Sequence, residues 1–385
     1  MLNDKMEREL AYIVQVDAVE PIEGYDKIAY ATVGGWHCVV GIDMKAGDKA
    51  IYFEIDSLLP AEDQRFAFCE KYKYKVKTQK YCKGTKISQG LLLPLTEFPE
   101  FADKPVGTFV TNDLKVTYYD PMDLARKSSG DSKPTYKPFF NKIKKHFPCK
   151  QLLRTEIGRK ILFKIFGVKK KKKRWPEFVP KTDEERIQNM PWILQDKELW
   201  EVSEKIDGCS STFAARRNKF GKIEFWICSR NVVLTRKSKT YYDDNVWFEM
   251  YDRYHVEEFL KDFLKETGAD WVYLQGESYG QGIQRRDYSL KDPKHDFRAF
   301  SLCTSKRVRY TYDQMRMLLE PYDIPTVPIK MTNYILPDTV DELVEYAAGA
   351  SEIDGLPREG IVLRKVSDPT VSFKAVDPQF LLKYH

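Results

Sequence analysis

A chain of 385 residues exceeds what one hydrophobic core usually supports, so two domains are expected, with room for a small third. Its 42% hydrophobic and 31% charged residues, with 23 Tyr, 22 Phe and 7 Trp, exclude an intrinsically disordered chain. The net charge of +6 is modest but uneven: from Arg126 to Arg174 eighteen Lys or Arg face only Asp131 and Glu156, which suits a polyanion such as nucleic acid or, in the plainer reading, a solubilising basic insert.

The cysteines are scattered, odd in number and without a C-x-x-C pair, which argues against a disulfide framework or a cysteine-rich zinc site and for a reducing compartment. No apolar run approaches the ~18 residues of a membrane span, and the first ten residues carry acids where a secretory leader would be basic and apolar. A soluble, intracellular protein with no membrane partner is expected. Cytoplasm and nucleus are not distinguished.

From residue 11 to 60, short β-prone segments such as A-Y-I-V-Q-V, K-I-A-Y-A-T-V, W-H-C-V-V and K-A-I-Y-F-E-I alternate with turn signals, the cadence of a small barrel or sandwich. The stretch 75–94 interleaves Lys with Tyr81 before an apolar run. That pattern fits a surface tracking a phosphate backbone, and fits equally a solvated strand edge guarded by lysines. Residues 121–138 read as a linker, and 139–168 as one or two short amphipathic helices broken near Pro148 and ended near Gly167. The K-K-K-K-K-R that follows is too repulsive to bury and superficially matches a nuclear-import signal. Beyond Trp175, F-V-P-K-T-D-E-E-R-I-Q-N suggests an extended piece and then a helix capped by Thr182 or Asp183. Strands recur to the end, with helices expected over 250–266, 312–319 and 338–349. The domains are thus 1–120, a basic linker or insert over 121–175, and 176–385, the last large enough for a catalytic domain of mixed α and β structure.

Lys205, at the end of strand-like L-W-E-V-S-E-K-I, is followed by Asp207 and Gly208. Lysine becomes a nucleophile when its environment activates it, and a glycine lets a ligand approach the backbone. Lys and Asp flanking a turn are also ordinary surface residues, so the motif alone is weak. Further strand-flanking positions add weight. Arg230 follows E-F-W-I-C-S, Glu277 follows W-V-Y-L-Q-G, Glu359 precedes G-I-V-L-R, and Lys374 lies in S-F-K-A-V with Lys383 after it. Singly, each reads as a surface arginine or an ion-pair partner. Together they offer a phosphate-binding fork, two acids for a ribose or Mg²⁺, and a second cation.

In this order, Lys205-Ile206-Asp207-Gly208, Ser229-Arg230-Asn231, Gln275-Gly276-Glu277, Phe297-Arg298-Ala299-Phe300, Glu359-Gly360-Ile361-Val362 and Ser372-Phe373-Lys374 resemble the motifs of the covalent nucleotidyltransferases. V-P-K-T-D-E-E-R-I-Q-N and S-Q-G-L-L-L-P bring the chain nearer to the RNA ligases with an N-terminal OB-like domain, the group typified by the Deinococcus and Naegleria enzymes. The resemblance implies an α+β chain, an OB-like β-barrel followed by a nucleotidyltransferase domain of antiparallel sheets with flanking helices. It implies an ATP-dependent ligase that uses Mg²⁺ or Mn²⁺ to join 3′-hydroxyl and 5′-phosphate ends of RNA or an RNA-containing duplex, nicks being preferred. A monomer is expected.

By the same resemblance Lys205 would attack the ATP α-phosphorus and retain AMP, with Glu204 shaping the adenine pocket through its backbone and Gly208 making room beside the phosphates. Asp207 would orient the lysine or a metal-bound water, Arg230 would bind ribose or the RNA 5′-phosphate, and Glu277 the ribose. Asp207, Glu277 and Glu359 are the candidate metal-binding acids, directly or through water. Phe300 would stack on adenine, with Phe297 as the alternative ring, since residues three apart face opposite sides of a regular strand. Lys374 would neutralise charge on the transferring phosphate, Lys383 being the weaker candidate for a second cation. A DNA ligase or capping enzyme would by resemblance carry an OB module after Lys374, where only a short tail follows. A catalytically silent RNA-binding protein is the alternative outside enzymes. No role is assigned to Cys209.

Overall fold

The computed structural model describes residues 1, 8–119, 140, 149–152, 154–166, 174–238, 240, 242, 245–307 and 309–384. Contacts divide the chain into two units, one of Met1–Tyr119 with Pro176–His385 and one of Asp120–Trp175. No helix among the described residues is long and apolar enough to cross a membrane.

The N-terminal part opens with β1 (Ala11–Gln15), β2 (Ala18–Ile22), β3 (Tyr25–Val33), β4 (Trp36–Gly41), β5 (Lys49–Phe53) and β6 (Ser57–Leu58). It continues with β7 (Thr78–Tyr81), β8 (Lys86–Gln89), β9 (Leu91–Pro94) and β10 (Thr117–Tyr118). Antiparallel sheets β1-β5-β9 and β2-β3-β4 carry most of it, with the β7-β8 hairpin and the β6-β10 pair beside them. Alternation along β1 and β5 feeds two cores. Ala11, Ile13, Ile51 and Phe53 join Phe66, Phe98 and Val110, while Tyr12, Val14, Ala50 and Tyr52 join Trp36, Cys38 and Val40. The β1-β5-β9 sheet is therefore buried on both faces, which accounts for its nearly continuous apolar runs.

From Pro176 onward come β11 (Glu185–Arg186), β12 (Trp200–Lys205), β13 (Cys209–Arg217), β14 (Ile223–Cys228), β15 (Trp271–Gly280) and β16 (His295–Thr304). The last three are β17 (Ile329–Tyr334), β18 (Gly360–Lys365) and β19 (Ser372–Val376). They form a five-stranded sheet, β11-β19-β18-β12-β17, and a four-stranded one, β14-β13-β15-β16. All pairings are antiparallel except the short β11–β19 ladder. The expected mixed α and β architecture on antiparallel sheets is what forms. Trp200, Val202, Ile361, Leu363, Phe373 and Ala375 line one face of the five-stranded sheet against helix Val340–Ala347. Thr339 caps that helix with a capping box, as Thr311 caps helix Tyr312–Leu319.

Two expectations need correction. The helix over 250–266 is two, Val246–Arg253 and Val256–Thr267, because His255 adopts a left-handed φ of 47° that no continuous helix accommodates. No helix follows Thr182 or Asp183. That segment stays extended into β11 and a 3₁₀ turn, Ile187–Asn189, because each side chain there meets a tertiary partner. Asp183 binds Arg230, Glu184 accepts from Ser372, and Glu185 accepts from Asn189.

Ile187–Asn189 is also where the N-terminal sheets dock. Asn189 Oδ1 accepts from Trp36 Nε1 at 2.7 Å and Tyr12 Oη at 3.0 Å, and its Nδ2 donates to Glu54 at 2.8 Å. A Cβ on Gly35 would lie 2.7 Å from Gln188 Cα and 2.9 Å from Val340, so the two surfaces close to backbone contact there. In the second unit, Cys149–Leu152 and Glu156–Phe166 are helical and Phe140 stacks on Phe166 at 4.6 Å. The remainder of the basic run, including K-K-K-K-K, lies outside the described residues.

Candidate functional site

Lys205 ends β12 opposite Gly360 of β18, and the chain then passes through 206–208 into β13 of the other sheet. The lysine thus stands where the two sheets join. Its Nζ lies 2.5 Å from Glu359 Oε2. Burial pulls the ammonium toward neutrality, but Glu359, Glu277 and Asp207 outweigh it and hold the pKa above the ordinary lysine value. Glu277 shows the converse. Burial, with Glu359 and Asp207 nearby, pushes its carboxyl up to about 8 against the pull of Lys205 and Arg230. Three acids around one lysine leave the site short of positive charge, which a divalent cation would relieve.

Oxygen donors of this kind suit Mg²⁺ or Mn²⁺. Among the described residues no three His, Cys, Asp or Glu side chains group closely enough to hold one ion directly. Asp207, Glu277 and Glu359, the acids that surround Lys205, are the residues that would hold such a cation.

Gly208 is also required by packing. A Cβ there would lie 2.3 Å from the Ser278 carbonyl oxygen and 2.9 Å from Glu277 Cγ, so the glycine admits the close approach of β15. Two side chains fix the reactive loop from the connection between β15 and β16. Tyr288 Oη accepts from the Asp207 N–H at 2.6 Å, and Gln284 Nε2 donates to the Gly208 carbonyl at 3.0 Å. Tyr288 is itself held beneath Arg286, whose guanidinium lies 3.8 Å from the ring centroid and pairs with Asp354 at 2.5 Å. Glu204 serves the same loop from behind. Its carboxylate accepts from Ser351 Oγ at 2.5 Å and from the Glu352 N–H at 2.9 Å, so its side chain is a buried brace for 351–354.

The two candidate aromatic rings separate cleanly. Phe297 is fully buried against Phe213 and Tyr254, on the face covered by helix Val246–Arg253. Phe300 is half-buried and falls at a register shift, where Gln275 pairs with Ser301 and Gly276 with Ala299, leaving Phe300 without an opposite number. Such an irregularity re-aims a side chain, and it frees Phe300 from the core.

Lys374 projects from β19 on the same face as Lys205, with Val362 of β18 between them. Burial, Arg186 and Arg8 bring its pKa down to about 7, with Asp183 opposing. It shares a small polar cavity with Arg8, Glu54, Asp183, Glu184, Glu185 and Arg186. Arg230 borders this group. It makes a two-pronged contact with Asp183 at 2.5 and 3.3 Å and donates to Tyr118 Oη, from the N-terminal part, at 3.0 Å. Lys383 is not part of the cluster. It is exposed on helix Pro378–Tyr384, its ammonium 4.8 Å over the Tyr384 ring. A lysine nine residues past Lys374 is carried away because a helix intervenes where a second strand position would have returned it. Cys209 is buried next to Glu277, which together with burial drives its thiol well above the ordinary range, so it is inert.

Sequence reasoning missed Tyr288, Gln284, Arg186, Arg8 and Tyr118. Q-R-R-D-Y after the Q-G-E strand offered a faint signal for the first two. Arg8 and Tyr118 reach the site only through the docking of the N-terminal sheets.

Comparison with known proteins agrees with this geometry. The RNA ligase family model matches residues 198–385, and the PHA02142 OB-fold domain model matches residues 10–95. No curated protein sequence matches the chain. Among solved structures, Naegleria gruberi RNA ligase with PPi is 26% identical at a TM-score of 0.74, over 98% of this chain and 99% of that one. A variant of the same ligase with ATP and Mn is 26% identical at 0.73, over 98% of each chain. A variant with AMP and Mn is also 26% identical, at 0.74. Residues 198–385 thus match the RNA ligase family and residues 10–95 an OB-fold domain, and along 98% of its length the chain resembles Naegleria gruberi RNA ligase.

Proposed function

We propose that the chain is an ATP-dependent ligase that joins the 3′-hydroxyl and 5′-phosphate ends of RNA, acting as a monomer at nicks in duplexes. The observation that carries this reading is Lys205 at the sheet junction, ringed by Glu359, Glu277 and Asp207, with Lys374 on the same face. The solved ligases that resemble the chain hold ATP, AMP and Mn, which supports the nucleotide and the cation. Lys205 Nζ, once deprotonated, attacks the α-phosphorus of ATP; a P–N bond forms and pyrophosphate leaves. An oxygen of the RNA 5′-phosphate then displaces the lysine, giving an RNA-adenylate, and the 3′-hydroxyl attacks that phosphate, loses its proton and expels AMP.

Such transfers depend on positioning and charge neutralisation more than on a strong base, which suits a site without a histidine. A divalent cation bound through water to Asp207, Glu277 and Glu359 would neutralise the phosphates and draw those acids away from Lys205, easing loss of its proton. Lys374 and Arg230 face the charge that develops on the transferred phosphate, Glu277 the ribose and Phe300 the adenine. Tyr288 and Gln284 hold the Asp207–Gly208 backbone in place.

The test is a sealing assay on matched nicked duplexes with RNA or DNA on either side, beside an unpaired strand, with ATP, GTP or NAD. RNA nicks sealed with ATP are expected. Faster joining of unpaired RNA overturns nick sealing, sole use of GTP or NAD overturns ATP dependence, and preference for an all-DNA nick turns the reading to a DNA ligase.

A further inference from the structure

One charged surface is left unused by this chemistry. Lys80 is exposed on β7, Lys77 precedes that strand, and Lys73 is exposed ahead of it. Helix Pro378–Tyr384 packs against β7 and exposes Lys383. Its Phe380 lies 5.9 Å beneath the Arg286 guanidinium, which ties the helix to the β15–β16 connection. The neighbouring Arg285 is exposed. Three elements distant in sequence thus meet here, and Lys77 and Arg285 lie close enough to repel one another. Burial, Lys75, Arg285 and Lys73 together hold the Lys77 ammonium below its ordinary value, with only Asp56 opposing. Asp56 is engaged by Lys75 at 3.1 Å. Among the described residues, no ion pair engages Lys73, Lys77, Lys80, Arg285 or Lys383.

Unpaired like charges gathered across an inter-segment seam repel one another until a polyanion neutralises them. The strip begins beside the reactive lysine, since Gln284, next to Arg285, holds the Gly208 carbonyl and Tyr288 holds the Asp207 N–H. We infer that Lys73, Lys77, Lys80, Arg285 and Lys383 form a track for the phosphate backbone of the RNA strand whose 5′-phosphate is delivered to Lys205. This deepens the ligase reading and rests on it. A continuous run of phosphates, rather than an acidic protein, suits cations spaced from the catalytic loop onto the OB-fold hairpin.

The experiment uses the full chain and a Lys77→Ala/Lys80→Ala/Arg285→Ala variant. Lysyl-AMP formation from ATP is measured beside binding of a 5′-phosphorylated nicked RNA duplex over a range of salt. Lysyl-AMP formation within twofold of wild type is expected, with RNA affinity at least ~10-fold weaker and the log K against log salt slope shallower by ~2–3, about 0.9 for each lost phosphate contact. A Lys77→Arg/Lys80→Arg/Arg285→Lys variant, which keeps the charges, should restore both affinity and slope. Wild-type slope and affinity in the alanine variant overturn the track, as does failure of the charge-preserving variant to restore binding. Competition by polyglutamate as strong as by RNA overturns it in favour of an acidic protein. Absence of lysyl-AMP in the wild type, with salt-dependent RNA binding still lost in the variant, overturns the ligase reading alone.

Discussion

On one face of the five-stranded sheet, Trp200, Val202, Ile361, Leu363, Phe373 and Ala375 are all 0% exposed. One residue away along the same strands, the other face carries Glu201, Ser203, Lys205, Arg364 and Lys374. The strict alternation of a β-strand makes this pairing of core and candidate catalytic surface, and a one-residue slip in register would exchange them. The difference teaches a division of labour: the apolar face fixes the strands, and the charged face uses that rigidity to hold like charges close together. Residues on the two faces should therefore fail in different ways.

The largest expected effect is Lys205→Ala, which should abolish labelled lysyl-AMP while circular dichroism stays native; persistent labelled protein would sink the nucleophile assignment. On the opposite face, Trp200→Ala should cost about 3–5 kcal/mol in denaturant unfolding. The protein that remains folded should adenylylate at the wild-type rate, and a rate loss without destabilisation would erase the contrast between faces. The two phenylalanines repeat the comparison on the other sheet. Phe297→Ala should destabilise by about 3–5 kcal/mol, whereas Phe300→Ala should leave the melting temperature nearly unchanged and raise the KM for ATP by up to ~10-fold, the range of one lost aromatic stack. The reverse pattern would exchange their roles.

The smallest effect is the most diagnostic. Lys374→Met should stop catalysis yet raise the melting temperature by about 1–2 °C, corresponding to ~1 kcal/mol for a chain of 385 residues. The sign follows from linkage. Folding lowers the Lys374 pKa to about 7 from an ordinary ~10.4, so between those values the unfolded chain holds the proton and the folded one does not. The wild-type penalty is full below pH 7 and fades as pH rises toward 10. The advantage of the Met variant should shrink over that interval, and melting curves in which it stays constant would refute the assigned cause.

Much of the site was legible because its members lie on strands or at their ends. Lys205, Asp207 and Glu359 sit where strands meet turns, Glu277 and Lys374 lie within β15 and β19, and the fold brings these points together. Partnerships between distant segments were not legible. The T-D-E-E run has the composition of a helix start, yet Arg230, Ser372 and Asn189 hold its three acids in an extended chain. Local sequence states a preference and tertiary ion pairs override it. Tyr288 was hidden for a similar reason, since its partner, the Asp207 N–H, lies 81 residues away. Lys383 is exposed on helix Pro378–Tyr384 rather than on a strand, a placement that spacing along the chain does not foretell.

The close contact at Gly35, with the Asn189 network beside it, has a consequence for how this architecture can change. The OB-fold domain is attached to the ligase domain through its own surface, and Tyr119 and Pro176 belong to the same unit. Any side chain at position 35 larger than glycine's would have to displace the backbone of the ligase domain at Gln188 or the side chain of Val340. A single methyl group added on one domain would thus be felt by the other, which makes this join the place where the two are least free to vary independently.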